Sequence, residues 1–331
     1  MARLARNAEK PDGGRTDYAV LAIILSVAAV LAYVYFRQVD KPNFEPRLAL
    51  HRQIIDGSAP SPYRYRVLAP LISEALRHGF VHVVAERNAF LSAYAVFDFA
   101  ALSFSVMLLF VYLGQWFSRE QALVGTLFAA ATMPMALRDH YYQPWSLLDA
   151  GFFAAGLLCI FRKRLVLLAI VIALASINRE TAVFIPLSFL LASIDPASKG
   201  RIERRAALLC AGYVGIWAIA FFGLRYILGA APNIETVGGL LPRNLVPREL
   251  FRAVVHGGLL FGAFWVFAAA GFRHAPSFVR RMTFIVPLYL VTVMLWGVWY
   301  EARLLATLYP IVIPLGLSFM YHRREYEGGA P

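Results

Sequence analysis

Charge is scarce in this chain. Only 16% of its residues are Asp, Glu, Lys or Arg, whereas ordinary soluble domains carry about 25%. Acidic residues are the scarcer kind, 20 against 32 basic ones. Cysteine is nearly absent: Cys159 and Cys210 are the two present, and both sit in apolar runs. That excludes a disulfide framework or a cysteine zinc site and leaves them as small hydrophobes. No clear internal repeat and no low-complexity tract interrupts the chain. A cleavable signal peptide is not evident either. The first apolar block, Tyr18 to Phe36, follows a polar tail and is too long for a signal-peptide core. It reads as a permanent first span.

What the chain has in excess is apolar side chains, 60% of 331 residues. One soluble core cannot hide that much, so lipid must be part of the solvent. The apolar residues also fall in blocks, and a helix needs about 20 of them to cross a bilayer at 1.5 Å per residue. The pattern predicts an all-α, polytopic transmembrane helix bundle of about ten membrane segments, at 18–36, 89–115, 121–137, 145–161, 165–177, 181–193, 206–228, 255–272, 282–299 and 304–321. Residues 165–177 and 181–193 are short of a full span. They read as two short passes or one helix broken at Asn178-Arg179-Glu180. The net charge of +12 sits in clusters between apolar blocks, which orients a membrane protein and does not indicate a nucleic-acid partner. It places the tails 1–17 and 322–331 in the cytoplasm, around a single transmembrane domain, 18–321. The implied location is a membrane, with a bacterial inner membrane fitting the Ala-, Leu- and Arg-rich composition.

Residues 37–88 form a long outer loop in this topology. Within it, Arg47 to Ile55 sets Leu48, Ile54 and Ile55 among Arg47, His51 and Arg52, and Arg66 to Phe80 spaces Leu68, Ile72 and Leu76 at helical intervals, a face that Arg66, Glu74 and Arg77 interrupt. Both predict amphipathic helices lying on the membrane surface. Residues 229–254, with Pro232, Pro242, Pro247 and Gly238-Gly239, read as an irregular loop capping the same side.

Ionisable groups in membrane segments are costly and normally face protein or water. Here they gather at the predicted outer ends of spans: Asp40 and Glu45; Tyr63, Arg64, Tyr65 and Arg66; Arg138, Asp139, His140, Tyr141, Tyr142 and Gln143, with Asp149 a turn further on; Asn178, Arg179 and Glu180; and Tyr300, Glu301 and Arg303. Asp98 lies deeper on the same half. A bland reading stands beside each group. The tyrosines serve as interfacial anchors, Arg64 and Arg66 hold lipid head groups, Asp98 and Asp149 pair with interhelical arginines, and Asn178-Arg179-Glu180 is a self-neutralising turn. The functional reading takes them together as one vestibule. Arginines grip phosphate with forked hydrogen bonds, aromatic faces suit a sugar ring or an isoprenoid, and a carboxylate accepts a proton from an attacking alcohol. Those parts suit group transfer from a lipid phosphate.

The placement of Asp40 after the first span, the loop that follows, the segment IIDGSAPSPYRYRVLAPLI at 54–72 and the polar ends DHYYQPWSLLD and NRET together resemble the GT-C superfamily of integral membrane glycosyltransferases. The resemblance implies an inverting enzyme at the extracytoplasmic face, a polyprenyl-phosphate-linked sugar as donor, and a glycan, lipid or protein acceptor, with membrane lipids around it. It implies Asp40 as general base, with Glu45, Asp139 or Asp149 as alternatives. The usual paired acidic motif is missing, since Lys41 follows Asp40, and so is a large soluble C-terminal domain. On this reading Arg64, Arg66, Arg179 and Arg303 hold phosphate. Tyr63, Tyr65, His140, Tyr141, Tyr142, Asn178, Glu180, Asp98 and Glu301 line the substrate pocket. No cofactor is expected. Asp139, His140 and Asp149 make only a weak metal set, so metal dependence is not favoured. Two other classes remain: a secondary transporter, for which Asp98, Asp149 and the broken pair speak, and a non-catalytic subunit that binds polyprenyl phosphate or other lipid.

Overall fold

The structure is a computed structural model that describes residues 13–138, 142–194, 203–230 and 239–327. They form an all-helical bundle. Helix α1 (Gly13–Tyr35) closes in a widened π-helical turn, Phe36–Asp40, in which Lys41 N–H donates to Phe36 O at 2.9 Å. That turn delivers Asp40 to the interior. Two shorter helices follow, α2 (Phe44–Ile55) and α3 (Leu68–Phe80), and then the long apolar α4 (Glu86–Leu113). Helix α5 (Arg119–Leu137) starts on a capping box: Gln121 N–H donates to Ser118 Oγ while the Ser118 N–H donates to Gln121 Oε1. Reciprocal satisfaction of this kind is why the chain turns sharply into a helix there.

Helices α6 (Ser146–Phe161) and α7 (Leu165–Asn178) are followed by an extended residue, Arg179, a 3₁₀ turn at Glu180–Val183, and α8 (Phe184–Ala192). Helix α9 (Arg204–Leu228) stops at Gly229, whose φ of 77° only glycine adopts readily. The remaining elements are α10 (Leu240–Asn244), α11 (Pro247–Phe261), α12 (Phe264–Gly271), α13 (Ser277–Met282), α14 (Ile285–Trp296), α15 (Ala302–Leu305) and α16 (Tyr309–Glu327). Helices α12 and α16 pack most intimately. A side-chain carbon at Gly271 would overlap the Leu315 carbonyl, and one at Gly316 would overlap the Phe264 ring. Helix α6 is buried along almost its whole length, while α9 leaves Leu208, Ile219, Phe222, Tyr226 and Ile227 exposed.

Five helices among the described residues are long and apolar enough to cross a membrane: Tyr18–Asp40, Glu86–Leu113, Arg204–Leu228, Ser277–Trp296 and Ala302–Tyr321. A sixth arises if α11 and α12, bent by 73° at their break, count as one span. These helices associate the chain with a membrane. They also correct the expected ten-segment bundle. The blocks at 145–161, 165–177 and 181–193 fold as short apolar helices; at 1.5 Å per residue they are about 20–24 Å long against a hydrocarbon core of about 30 Å. The block at 121–137 is not among the candidate spans, and 255–272 is broken where Gly262 takes a φ of 50°. Hydropathy reads the apolar content of these blocks correctly, but a run of apolar residues also describes a helix buried by its neighbours.

The pair of amphipathic surface helices is corrected as well. Helices do form at α2 and α3, but α2 turns Phe44, Arg47, His51 and Ile54 inward. Its inward face therefore carries a guanidinium and an imidazole, where a surface-lying helix would present an apolar stripe.

Candidate functional site

The polar residues of α1, α2, α3 and α4 converge on one buried network. Arg47 is 1% exposed and its Nη2 lies 2.5 Å from Asp40 Oδ1, itself 2% exposed. The same guanidinium donates to the Tyr35 hydroxyl at 3.4 Å and lies 5.6 and 5.4 Å from the ring centres of Tyr35 and Tyr142. Asp98 of α4 is completely buried, within hydrogen-bonding reach of Asp40 and in the field of Arg47. No N–H among the described residues is aimed at either of its oxygens. The arrangement therefore sets two carboxyl groups against one guanidinium.

One helical turn along from Asp98, Tyr94 opens a second set of contacts. His51 Nδ1 lies 2.9 Å from the Tyr94 hydroxyl and 3.0 Å from the Tyr142 hydroxyl, and these two hydroxyls touch each other. On the other side of the ring, His51 Nε2 lies 2.9 Å from Glu74 Oε2. Arg77 grips the same carboxylate through Nε and Nη2, at 2.8 and 2.7 Å, and reaches exposed Glu86 at 2.7 Å. The hydrogen bonds from Arg77, with a further one from His51, hold the Glu74 carboxyl at about 2, well below its ordinary 4.5. Burial pushes the His51 imidazolium down, and the pull of Glu74 opposes this without reversing it. An ionised Glu74 accepts only, so Nε2 carries the ring proton and Nδ1 accepts from a tyrosine.

The sign of the resulting pH dependence follows. A carboxyl held low stabilises the fold above its unfolded value and loses that contribution as pH falls toward about 2. Glu74→Gln is expected to lower the unfolding temperature at pH 6, with the gap to the wild type closing between pH 4.5 and 2. Thermal unfolding in detergent across that range measures it; a gap independent of pH would mean Glu74 is not ionised in the folded state.

A second cluster lies beyond Tyr142 and Trp145, whose rings meet edge to face at 5.9 Å. Asp149 accepts from Arg179 Nη1 at 2.5 Å and from Asn178 Nδ2 at 2.9 Å, and Asn178 also donates to the Trp145 carbonyl at 3.0 Å. Arg66 pairs with Glu180 and lies 5.3 Å from the Trp145 ring, which Tyr63 also meets at 5.7 Å. Arg303 pairs with Glu301 and donates to Ser146 Oγ at 3.3 Å. Tyr65 donates to the Gly229 carbonyl, and Arg64 to that of Ala230. The cleft beside Asp149, Arg179 and Thr307 has a volume of about 20 Å³, room for a water and far below the roughly 300–1,000 Å³ of small-molecule sites.

The structure thus brings Asp149, Asn178, Arg179, Glu180, Arg66 and Tyr63 around Trp145, and Asp40, Asp98 and Tyr142 into the first network. Glu45 stays exposed and apart, and Glu301 serves Arg303. Asp139, His140 and Tyr141 lie outside the described residues. Sequence reasoning assigned Arg47, His51 and Glu74 to membrane-surface helices and passed over Tyr35 and Tyr94. The spacing of Arg47 to His51 and of Tyr94 to Asp98, four residues each, was the signal that placed each pair on one helix face.

No family model matches the chain, and neither a curated protein nor a solved structure does. Five or six candidate spans fall well short of the expected large polytopic architecture, so the GT-C resemblance is not sustained. Glycosyl transfer from a polyprenyl-phosphate donor and membership of that enzyme class fall with it. The described residues show no sugar-transfer geometry and no group of three or more His, Cys, Asp or Glu placed to hold a metal ion. Arg66, Arg179 and Arg303 each face a carboxylate, so a phosphate would have to displace one. The transporter and lipid-phosphate alternatives gain no better support.

Proposed function

We propose that this is an integral membrane protein whose working group is the Asp40–Asp98 carboxyl pair, which binds and releases a proton in the core of the membrane domain. One observation carries the reading: two carboxyl groups fully withdrawn from water share a single guanidinium, that of Arg47. Two carboxylates held together cannot both ionise cheaply in a low-dielectric interior, so the neutral arrangement has one proton between them. The other buried or half-buried carboxyls described, Glu74, Asp149, Glu180, Glu249 and Glu301, each pair with an arginine other than Arg47. Release of the shared proton leaves a net charge among α1, α2 and α4, which couples protonation to how those three elements pack.

Infrared spectroscopy of the protein in lipid nanodiscs tests this. The wild type is expected to show a protonated-carboxyl carbonyl band near neutral pH, and Asp98→Asn to lose it. A wild type without such a band, or a band unchanged in both Asp98→Asn and Asp40→Asn, would sink the reading.

The same proposal counts α11 and α12 together as a sixth span, an even number of crossings, and places the protein in a bacterial inner membrane with both termini cytoplasmic. The basic clusters Arg162-Lys163-Arg164 and Arg204-Arg205 support that orientation through the positive-inside rule. Its immediate partners are membrane lipids, whose acyl chains meet the exposed apolar face of α9.

A further inference from the structure

The carboxyl pair is enclosed, so a proton needs a route to it. We propose that Glu74, His51 and the paired hydroxyls of Tyr94 and Tyr142 form that route, connecting the Asp40–Asp98 site to the surface where α3 meets the start of α4. This inference rests on the proton-binding reading above and adds its path. Contacts of 2.9 Å from Glu74 to His51 Nε2, and of 2.9 and 3.0 Å from His51 Nδ1 to Tyr94 and Tyr142, make an unbroken donor–acceptor chain across three elements. The chain reaches solvent at Glu74 itself, whose side chain is 17% exposed and is held in place by Arg77. At its inner end Tyr94 and Asp98 stand one turn apart on α4 and within each other's electrostatic field, and the last step of the proposed route runs through bridging water.

The carboxylate–imidazole–hydroxyl order decides what each residue does. Ionised Glu74 fixes the tautomer with the proton on Nε2 and the Nδ1 lone pair toward the tyrosines. For outward transfer, Asp98 gives its proton toward the Tyr94 hydroxyl, which passes its own proton, directly or by way of Tyr142, to His51 Nδ1. His51 is then briefly imidazolium, stabilised by Glu74, and releases the Nε2 proton to Glu74 and so to water. Each residue that gives up a proton receives one, except Asp98, which ends as carboxylate beside Arg47; His51 ends with its proton on Nδ1 and must return to the Nε2 tautomer before the next outward transfer. Inward transfer reverses every step. The charged and titratable groups around His51 are Glu74, Arg77 and Arg52, with Tyr94 and Tyr142 on the inner side. The two arginines oppose a lasting imidazolium, which suits a group that hands a proton on and does not keep it.

The test follows the carboxyl band in nanodiscs after a rapid pH jump, in wild type, Asp98→Asn, His51→Gln and Glu74→Gln. Asp98→Asn and Asp40→Asn report on the carboxyl pair alone: if the band survives unchanged in both, the parent reading falls and the route with it. With the band assigned to Asp98, His51→Gln is expected to reach the wild-type amplitude at least tenfold more slowly, and Glu74→Gln to be slowed in the same direction. Wild-type rates in His51→Gln would overturn the route and leave the carboxyl site standing. Should His51→Gln fail to fold, Glu74→Gln decides, since its side chain lies nearer the surface, and a wild-type rate there overturns the route.

Discussion

Arg47→Met is expected to cost about 3–5 kcal/mol of stability at neutral pH, the penalty for stripping a buried charge of its partner. Methionine keeps the unbranched stem of arginine as far as Nε and much of its volume, so the electrostatic term outweighs the loss of packing. What remains is Asp40, 2% exposed, beside fully buried Asp98, with no guanidinium for either. The contacts of Arg47 with Tyr35 and Tyr142 go at the same time. Charge logic supplies an internal control. The pair with one shared proton and one guanidinium is neutral, and Arg47→Met combined with Asp40→Asn is neutral again. The double variant should therefore recover at least half of the loss, which is a coupling well above ordinary non-additivity. Unfolding by SDS titration in mixed micelles measures all three proteins. Equal stability of the single and double variants would show that Arg47 acts through packing and not as the counter-ion of this pair.

How far this network was readable from the chain depends on which physical property each residue expresses. Asp98 and Asp149 stood out because a carboxylate inside an apolar run is conspicuous whatever the fold. The grouping Asn178, Arg179, Glu180 was equally visible, because it interrupts an apolar sequence, and the structure shows the backbone turning extended at Arg179. Arg47 and His51 were visible but placed on the wrong face. A helical spacing gives the angle between two side chains and leaves open which side meets the protein. Glu74 and Arg77 read as interruptions of an apolar stripe, when they are the partners that let His51 be buried.

The span count failed for a related reason. Hydropathy measures what a segment would tolerate, and both lipid and a protein core tolerate Leu, Ala and Phe. Helix α6 is apolar because it is surrounded, with Gly151 set against Phe104 and Ser105 and Gly156 against Ile185. Helix α9 is apolar with only 11% of its membrane-spanning stretch buried. The two are alike in composition and opposite in environment, and only tertiary packing separates them.

The same burial sets the size of the effect at the second cluster. Arg179 and Asp149 are each about 6% exposed and joined at 2.5 Å, and the carboxylate's other oxygen holds Asn178 at 2.9 Å. Asp149→Ala should therefore cost more than Asp149→Asn. Alanine leaves a buried guanidinium without its counter-charge and removes one of the two acceptors of a completely buried asparagine; a loss of about 3–5 kcal/mol is expected. Asparagine keeps an acceptor oxygen and loses only the charge, so about half that cost is expected. Because Asn178 and Arg179 form the junction between α7 and the 3₁₀ turn, the damage should be local. Hydrogen exchange in Asp149→Ala is expected to rise first in 175–185 and in the neighbouring start of α6. Protection lost uniformly across the bundle, or unchanged at the junction, would show that the pair does not hold these two helices in register.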